Sequence, residues 1–232
     1  MTDVSKLCSD FLRKTYPGLK ASHARELVAA FFGYKKHASL LAETAYHVDK
    51  IDEADLLIPD IAMIEKRRAR LDNLAQGLGE SKELAEKLAE FLEEQKMFFG
   101  ETWILEDDLA TYMLDDYLPN NVDGRLDDYL SGEIAETNAY FDEPYYDQAT
   151  VEDGVDSVKV VVTGTYNGEH NIENDSMYAG DTIDMTISVE LMRVAGRVAF
   201  MEPEVEVSGS VNRDYHDDYD GDDNDDEDES AA

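Results

Sequence analysis

Cysteine is nearly absent from this chain, because Cys8 is the only one among 232 residues. A single cysteine excludes an internal disulfide bond and any metal knuckle built on paired cysteines, and it is typical of proteins from reducing compartments. No segment reaches the roughly 18 consecutive apolar residues that a membrane-spanning helix needs. The opening sequence MTDVSKLCSDFLRK mixes charges and has no apolar run, so it predicts no signal peptide. We therefore expect a cytoplasmic protein that makes no contact with membranes.

Catalytic and cofactor motifs are also missing from the sequence. It has no GxSxG, no phosphate-binding loop with its lysine, and no GxGxxG after a strand pattern. The five histidines lack the spacing of metal ligands. Residues 216–227 match an EF-hand calcium loop in part, but His216 stands at the first ligand position, where an oxygen is needed. We predict no cofactor and no metal site, and the sequence favours a non-enzymatic protein, with a pair of catalytic carboxylates left open as an alternative.

Basic residues are scarce in the second part of the chain. The whole sequence has 20 Lys and Arg against 54 Asp and Glu, a formal net charge of −34. Residues 1–100 hold 15 basic and 17 acidic residues, net −2, whereas residues 101–232 hold 5 and 37, net −32. Such a field repels nucleic acids and anionic membranes and attracts basic proteins. Because the acid is concentrated in one part of the chain, the sequence favours a local function over an adaptation to salt.

Apolar residues recur with helical spacing up to about residue 118. Gly33 is predicted to end a helix that begins near Ser22, and a second short helix follows it. The apolar positions of a third helix run from Ile61 to Leu74, and Ser81 is predicted to cap a fourth.

A fifth helix is predicted to start after Trp103 and to end before Pro119. Its first turn would contain Glu106, Asp107 and Asp108, whose charges favour the positive end of the helix dipole. Residues 1–118 are therefore predicted to form a helical domain.

Residues 18–43 carry a more particular pattern, which includes the string LKASHARELVAAFFGYKKHASLLAE. This string resembles small helical modules of the glyoxalase-related type that occur in bacterial proteins encoded by plasmids or phages. The resemblance implies a helix, a glycine turn and a second helix, and a bacterial or mobile-element origin. It carries no catalytic residue over to this chain.

The rest of the chain is predicted to contain three further regions. Residues 119–156 are rich in acids and tyrosines and predict a mostly irregular or loosely helical connector. In residues 157–213 apolar and polar residues alternate, which predicts an antiparallel β region with one apolar face to be covered by a helix or a partner. Residues 214–232 are predicted to be a disordered acidic tail. The predicted strands lie near 158–166, 181–192, 195–201 and 204–212.

The expected fold class is α+β, with the helical domain first, then the small antiparallel sheet and the tail.

Acidic residues and tyrosines between residues 106 and 156 form the main candidate site. This segment holds 16 acids and one base, Arg125. Carboxylates fixed in rows can occupy the groove of a nucleic-acid-binding protein, because Lys and Arg side chains placed for phosphates also accept carboxylates. The expected partner is therefore a basic surface of a nucleic-acid-handling or host-defence protein, and the alternative is a solvated linker. The predicted partner-binding residues are Glu106, Asp107, Asp108, Tyr112, Asp115, Asp116, Tyr117, Asp127 and Asp128.

One basic cluster offers a second hypothesis; it consists of Lys66, Arg67, Arg68 and Arg70. It could bind nucleic acid as part of a helix-turn-helix regulator with the acidic region as a brake, although the net charge disfavours direct binding of nucleic acid. It could instead receive the acidic tail, or be a solvated helix face paired with Glu65 and Asp72. A structural protein of a phage or plasmid is a further alternative. The sequence gives no indication of the oligomeric state.

Overall fold

The computed structural model describes residues 3–137, 139–170 and 181–212. These residues form helices and strands, so the α+β prediction is confirmed at that level. The helices are α1 (Val4–Thr15), α2 (Ala21–Phe31), α3 (His37–Leu41), α4 (Ile61–Arg68), α5 (Ser81–Glu94), α6 (Leu109–Tyr112), α7 (Leu118–Asn121), α8 (Leu126–Tyr129) and α9 (Ser131–Ala135). The strands are β1 (Leu56–Leu57), β2 (Glu101–Thr102), β3 (Ala139–Asp153), β4 (Ser157–His170), β5 (Thr182–Ala195), β6 (Ala199–Phe200) and β7 (Glu204–Asn212). Short 3₁₀ turns at Val48–Glu53 and Asp123–Arg125 and a π-helical turn at Met113–Tyr117 complete the described elements.

A first hydrophobic core joins α1, α2, α4 and α5. Amphipathic spacing produces it, because Leu27, Val28 and Phe31 lie on the buried side of α2. The rings of Phe11 on α1 and Phe91 on α5 stack with centroids 4.3 Å apart and connect the two helices. None of the helices in the described ranges is long and apolar enough to cross a membrane.

A second core lies between the long strands and the helices α6 to α9. The inward residues of β4 and β5 alternate with outward polar ones, as the sequence pattern predicts for β5 in particular. The helical side of this core is supplied by fully buried Met113, Leu118, Leu126 and Leu130. The segment from residue 109 to residue 135 therefore covers the apolar face of the sheet.

The described strands form one sheet in the order β2-β1-β6-β5-β4-β3, with β7 also paired to β5. The pairs β3–β4, β4–β5, β5–β6, β5–β7 and β1–β6 are antiparallel, whereas β1 and β2 are parallel. The prediction of an antiparallel sheet is therefore wrong, because two short strands from the helical region join its edge and make the sheet mixed. Strands β6 and β7 share one edge of β5.

The short strands β1 and β6 separate the two cores. Leu57 and Ala199 contribute to the first core, whereas their neighbours Leu56 and Phe200 contribute to the second. Successive side chains of a strand point to opposite faces, so the two residue pairs of β1 and β6 contribute to both cores. We call this boundary between the cores the wall.

Helices also extend beyond the region in which the sequence predicts them. The helices are not all in the predicted N-terminal domain, since α8, α9 and most of α7 lie in the connector, for which the sequence predicts mostly irregular or loosely helical structure. Pro119 is predicted to follow the end of a helix, yet it lies in the first turn of α7, directly after the π-helical turn Met113–Tyr117. Residues 139–153 were expected to be irregular and instead form β3, the longest described strand.

Several predicted boundaries also differ from the structure. The third helix ends at Arg68, so Leu71 and Leu74 lie outside it. The predicted strand 195–201 shrinks to the two residues of β6, because Gly196 turns the chain with φ +59°. The predicted disordered tail and the partial calcium loop at 216–227 lie outside the described residues.

Candidate functional site

The acidic candidate residues lie on the outer side of the helices that cover the sheet. Asp115, Asp116, Asp127 and Asp128 are exposed. Burial of the leucines on the opposite side of these short helices fixes which side faces the solvent. The carboxylates therefore stand on ordered backbone that is attached to the second core.

Two candidate acids near the start of α6 have local partners. Asp108 is the N-cap of α6, and its carboxylate accepts a hydrogen bond of 2.9 Å from the Thr111 backbone N–H, which lowers the pKa of Asp108. Glu106 accepts a hydrogen bond of 2.5 Å from the Lys82 ammonium group of α5, and this bond lowers the pKa of Glu106. Both carboxylates are thus ionised at neutral pH, and Glu106 is already neutralised by Lys82.

Asp116 and Asp127 are also held in place by hydrogen bonds. The Asn120 amide donates to the Asp116 carboxylate over 3.0 Å, and the Tyr166 hydroxyl donates to the Asp127 carboxylate over 2.9 Å. A carboxylate has about four acceptor positions, so one such bond restricts its orientation and leaves it able to bind a cation.

The two candidate tyrosines pack inward. The rings of Tyr112 and Tyr117 lie 5.0 Å and 5.2 Å from the Trp103 ring. Tyr117 is 9% exposed, and burial raises its pKa. Tyr117 therefore packs in the second core, and its role in binding a partner stays a prediction. Tyr112 is half-buried beside it.

Sequence reasoning missed the tyrosines that fasten the acidic helices to the sheet. The Tyr146 hydroxyl of β3 donates a hydrogen bond to the Asp123 carboxylate, and Tyr166 of β4 binds Asp127 in the same way. Burial, followed by these hydrogen bonds, raises the pKa values of both tyrosines. The partners are 23 and 39 residues apart along the chain, so no local pattern signals the pairs.

We define the acidic face by the exposed candidate carboxylates that are not neutralised by a neighbouring cation among the described residues. Its members are Asp107, Asp108, Asp115, Asp116, Asp127 and Asp128. Burial, capping and hydrogen bonding hold parts of this face, so several of its negative charges stand in defined positions.

Two residues of the basic cluster form ion pairs within the chain. Arg67 lies 3.5 Å from Glu26 of α2, and Arg68 lies 3.1 Å from Glu80 just before α5. These side chains are only 13% and 19% exposed. The predicted partners Glu65 and Asp72 are wrong, because the arginines point toward neighbouring helices. Lys66 and Arg70 remain exposed.

A cleft of about 560 Å³ lies where the two cores meet, beside the acidic face. Ile58, Leu109 and Phe200 contribute apolar surface, and Asp107 and Asp108 line it together with cationic groups. Its volume falls within the roughly 300–1,000 Å³ of small-ligand pockets. Mixed charges around an apolar surface identify no particular reaction.

Polar groups of this cleft are partly engaged with one another. Arg193 donates hydrogen bonds to Asp153 and to the Arg197 carbonyl, and Asp60 caps α4 by accepting from the Met63 N–H over 2.7 Å. Burial raises the pKa of Asp60. In the described ranges, no three His, Cys, Asp or Glu side chains come together as a metal site.

Comparisons of the chain with protein-family models, with curated proteins and with solved structures find no match. The resemblance of residues 18–43 to glyoxalase-related helical modules therefore stays a prediction.

Proposed function

We propose that the protein binds a basic surface of a nucleic-acid-handling or host-defence protein through the acidic face, in the manner of a nucleic-acid mimic. The observation that supports the proposal is that the exposed carboxylates lie in or just before α6, the π-helical turn and α8, whose apolar side chains pack against the sheet in the second core. A binding surface that is already ordered loses little conformational entropy when the partner docks.

Charge distribution supports the same partner class. Residues 106–156 hold 16 acids and one base, so the field near the acidic face attracts cations and accelerates encounter with a basic protein. Arg and Lys side chains arranged for phosphate groups form charge-assisted hydrogen bonds with carboxylates as well. A partner that binds DNA or RNA would thus lose access to its nucleic acid while the acidic face occupies its groove.

The test compares two variants that each remove four negative charges. The first replaces Asp107, Asp115, Asp116 and Asp128 by Asn, which keeps side-chain size and spares the capping role of Asp108 and the tyrosine bond of Asp127. The matched control carries Asp52→Asn, Glu53→Gln, Glu90→Gln and Glu94→Gln, which are exposed acids in the first part of the chain.

Wild type and both variants are used to capture proteins from a bacterial lysate, with elution by salt and identification by mass spectrometry. We expect wild type and control to capture the same basic nucleic-acid-binding protein and to displace its DNA or RNA at one-to-one stoichiometry. The acidic-face variant is expected to bind it about tenfold more weakly, since each exposed ion pair contributes roughly 0.2–1 kcal/mol. Equal loss in both variants would show that only the overall charge acts, and the mimic proposal would then be abandoned.

A further inference from the structure

The N-terminal helices carry charge of the opposite sign to the rest of the molecule. Residues 3–41 contain seven Lys or Arg and three Asp or Glu, net +4 with histidines neutral, in a chain of net charge −34. A cationic region survives in this chain although acids outnumber bases by 54 to 20. Charge segregation of this kind indicates a surface for an anionic group.

A groove of about 300 Å³ runs between α1, α2 and α3 within this region. Lys6, Arg13, Arg25 and His37 line it, and the buried serines Ser5 and Ser9 contribute small side chains. We refer to it as the basic groove. Small residues beside long cationic ones let an extended peptide approach closely while its acids contact the cations.

The carboxylates in the basic groove do not neutralise it. Asp3 caps α1 by accepting from the Lys6 backbone N–H over 2.9 Å, and Asp10 lies 3.6 Å from Arg13 in a pair that is about half exposed. Exposed pairs of this kind are weak. Lys6 and Arg25 are exposed and have no ion pair with any residue in the described part of the chain.

The chain itself contains an acidic segment whose charge is complementary to that of the groove. Residues 214–229 hold 11 Asp or Glu, and no basic residue follows Arg213. We propose that the end of this acidic segment, Asp225 to Glu229, binds in the basic groove of its own chain. The predicted docking site at residues 66–70 is less suitable, because Arg67 and Arg68 already pair with Glu26 and Glu80.

The chain after Asn212 is long enough for its last acids, and only for those, to extend past Ala195 toward the groove. Asn212 pairs with Thr182 at one end of β5, and the groove lies toward the other end, where the Gly196 N–H binds the Tyr46 carbonyl. Thirteen residue steps from Thr182 to Ala195 span about 43 Å at ~3.3 Å per residue. Seventeen steps from Asn212 to Glu229 reach about 56 Å. Covalent attachment gives the segment a higher effective concentration at the groove than a free anion has.

The positive charge of the groove attracts a nucleic acid, but the negative charge of the whole molecule repels it. The net charge of −34 opposes the approach of a phosphate backbone, whereas the acidic segment is already attached. Occupation of the groove by this segment would leave the acidic face free and would make the molecule selective for basic partners.

The test uses the full chain with Ala231→Cys labelled by a nitroxide. Cys8 does not interfere, because it is buried and burial raises its pKa to about 12. We expect selective broadening of the backbone amide signals around Lys6, Arg13 and Arg25 in dilute protein at low salt, and loss of that broadening in concentrated salt.

Two variants locate the contact. Lys6→Gln, Arg13→Gln and Arg25→Gln together should abolish the broadening, whereas the control Lys50→Gln, Lys66→Gln and Arg70→Gln, which also removes three exposed charges, should preserve it. A mixture of labelled chain with unlabelled, isotopically enriched chain should show no broadening.

Four results would overturn the proposal, three from the broadening experiment and one from a DNA titration. The first is an absence of broadening near the groove, and the second is broadening that depends only on the control residues. The third is equal broadening in the mixed sample, which would assign the contact to a second copy. A short DNA duplex that shifts the groove amides of the full chain at physiological salt would reassign the groove to nucleic acid.

Discussion

The phenolic hydroxyl of Tyr166 on β4 donates a hydrogen bond of 2.9 Å to the carboxylate of Asp127 on α8. The same hydroxyl also lies 3.3 Å from the Phe141 carbonyl of β3. One side chain thereby connects two strands with a helix of the acidic face. The orientation of that helix depends on the sheet beneath it.

Tyr166→Phe should lower the free energy of unfolding by about 1 kcal/mol, because it removes a hydrogen bond to a carboxylate and keeps the ring in the core. Urea denaturation followed by circular dichroism measures the change. Tyr129→Phe is the control, since the Tyr129 ring lies under the Arg125 guanidinium and its hydroxyl has no hydrogen bond among the described residues. If the two substitutions lowered the free energy of unfolding equally, the Tyr166 hydroxyl would have no specific structural role.

Leu130→Ala should destabilise the protein by about 2–5 kcal/mol, because Leu130 is fully buried between the helices and the sheet. Leu41→Ala removes the same atoms from a side chain that is 63% exposed and should cost well under 1 kcal/mol. Thermal or urea unfolding distinguishes the two. A small effect at Leu130 would mean that residues 109–135 do not form a packed cover.

Gly33→Ala should lower the free energy of unfolding by about 2–4 kcal/mol, for two additive reasons. Gly33 has φ +80°, and an added Cβ would lie 2.8 Å from the Arg197 Cβ. Gly18→Ala is the matched control, because Gly18 has φ +95° and its added Cβ would meet nothing within 4 Å. The control should lose only about 1 kcal/mol from the backbone term. If both variants were equally stable, the close approach between Gly33 and Arg197 would be refuted.

Stability should decline between pH 9 and pH 10 because of Cys8. Burial raises its pKa from 9.0 to about 12 in the folded protein, so the folded state retains a proton that the unfolded state releases as the pH rises through 9.0. The resulting stabilisation is complete below pH 9 and decreases by about 1 kcal/mol from pH 9 to pH 10.

Urea unfolding at pH 9 and pH 10 measures this difference in the free energy of unfolding. In Cys8→Ala the difference should be smaller by about 1 kcal/mol, because the thiol is gone. A thiol reagent should leave Cys8 unmodified in native protein and modify it in urea. Rapid modification of native protein would contradict the buried position of Cys8.

The sequence predicts the long strands with alternating apolar residues well and misses the strand whose alternation is interrupted. Strand β7 matches the predicted 204–212, and β4 and β5 are found near their predicted places. Strand β3 contains two register shifts, after Phe141 and after Tyr146, each of which adds a residue to one strand. Its inward positions are therefore spaced by two and three residues in turn, and no period of two is visible.

The acidic face was only partly predictable for a related reason. Asp115 and Asp116 fall within the fifth helix that the sequence predicts. Helices α8 and α9 have only four and five residues, too few to show a 3.6-residue period, so Asp127 and Asp128 were assigned to a connector. The acids themselves were identified by composition. Their attachment to the sheet depends on tyrosines distant in sequence, such as Tyr146, which only tertiary structure brings near.

The wall formed by β1 and β6 also determines the order in which the chain can fold during synthesis. Ala195, Val198 and Ala199 are fully or almost fully buried in the core of the N-terminal helices, although they lie about a hundred residues after α5. The nascent helices consequently lack part of their interior until residue 200 has left the ribosome. Closure of the first core therefore depends on β6, the second-to-last of the described strands, and unfolding of either core exposes the strands that border the other.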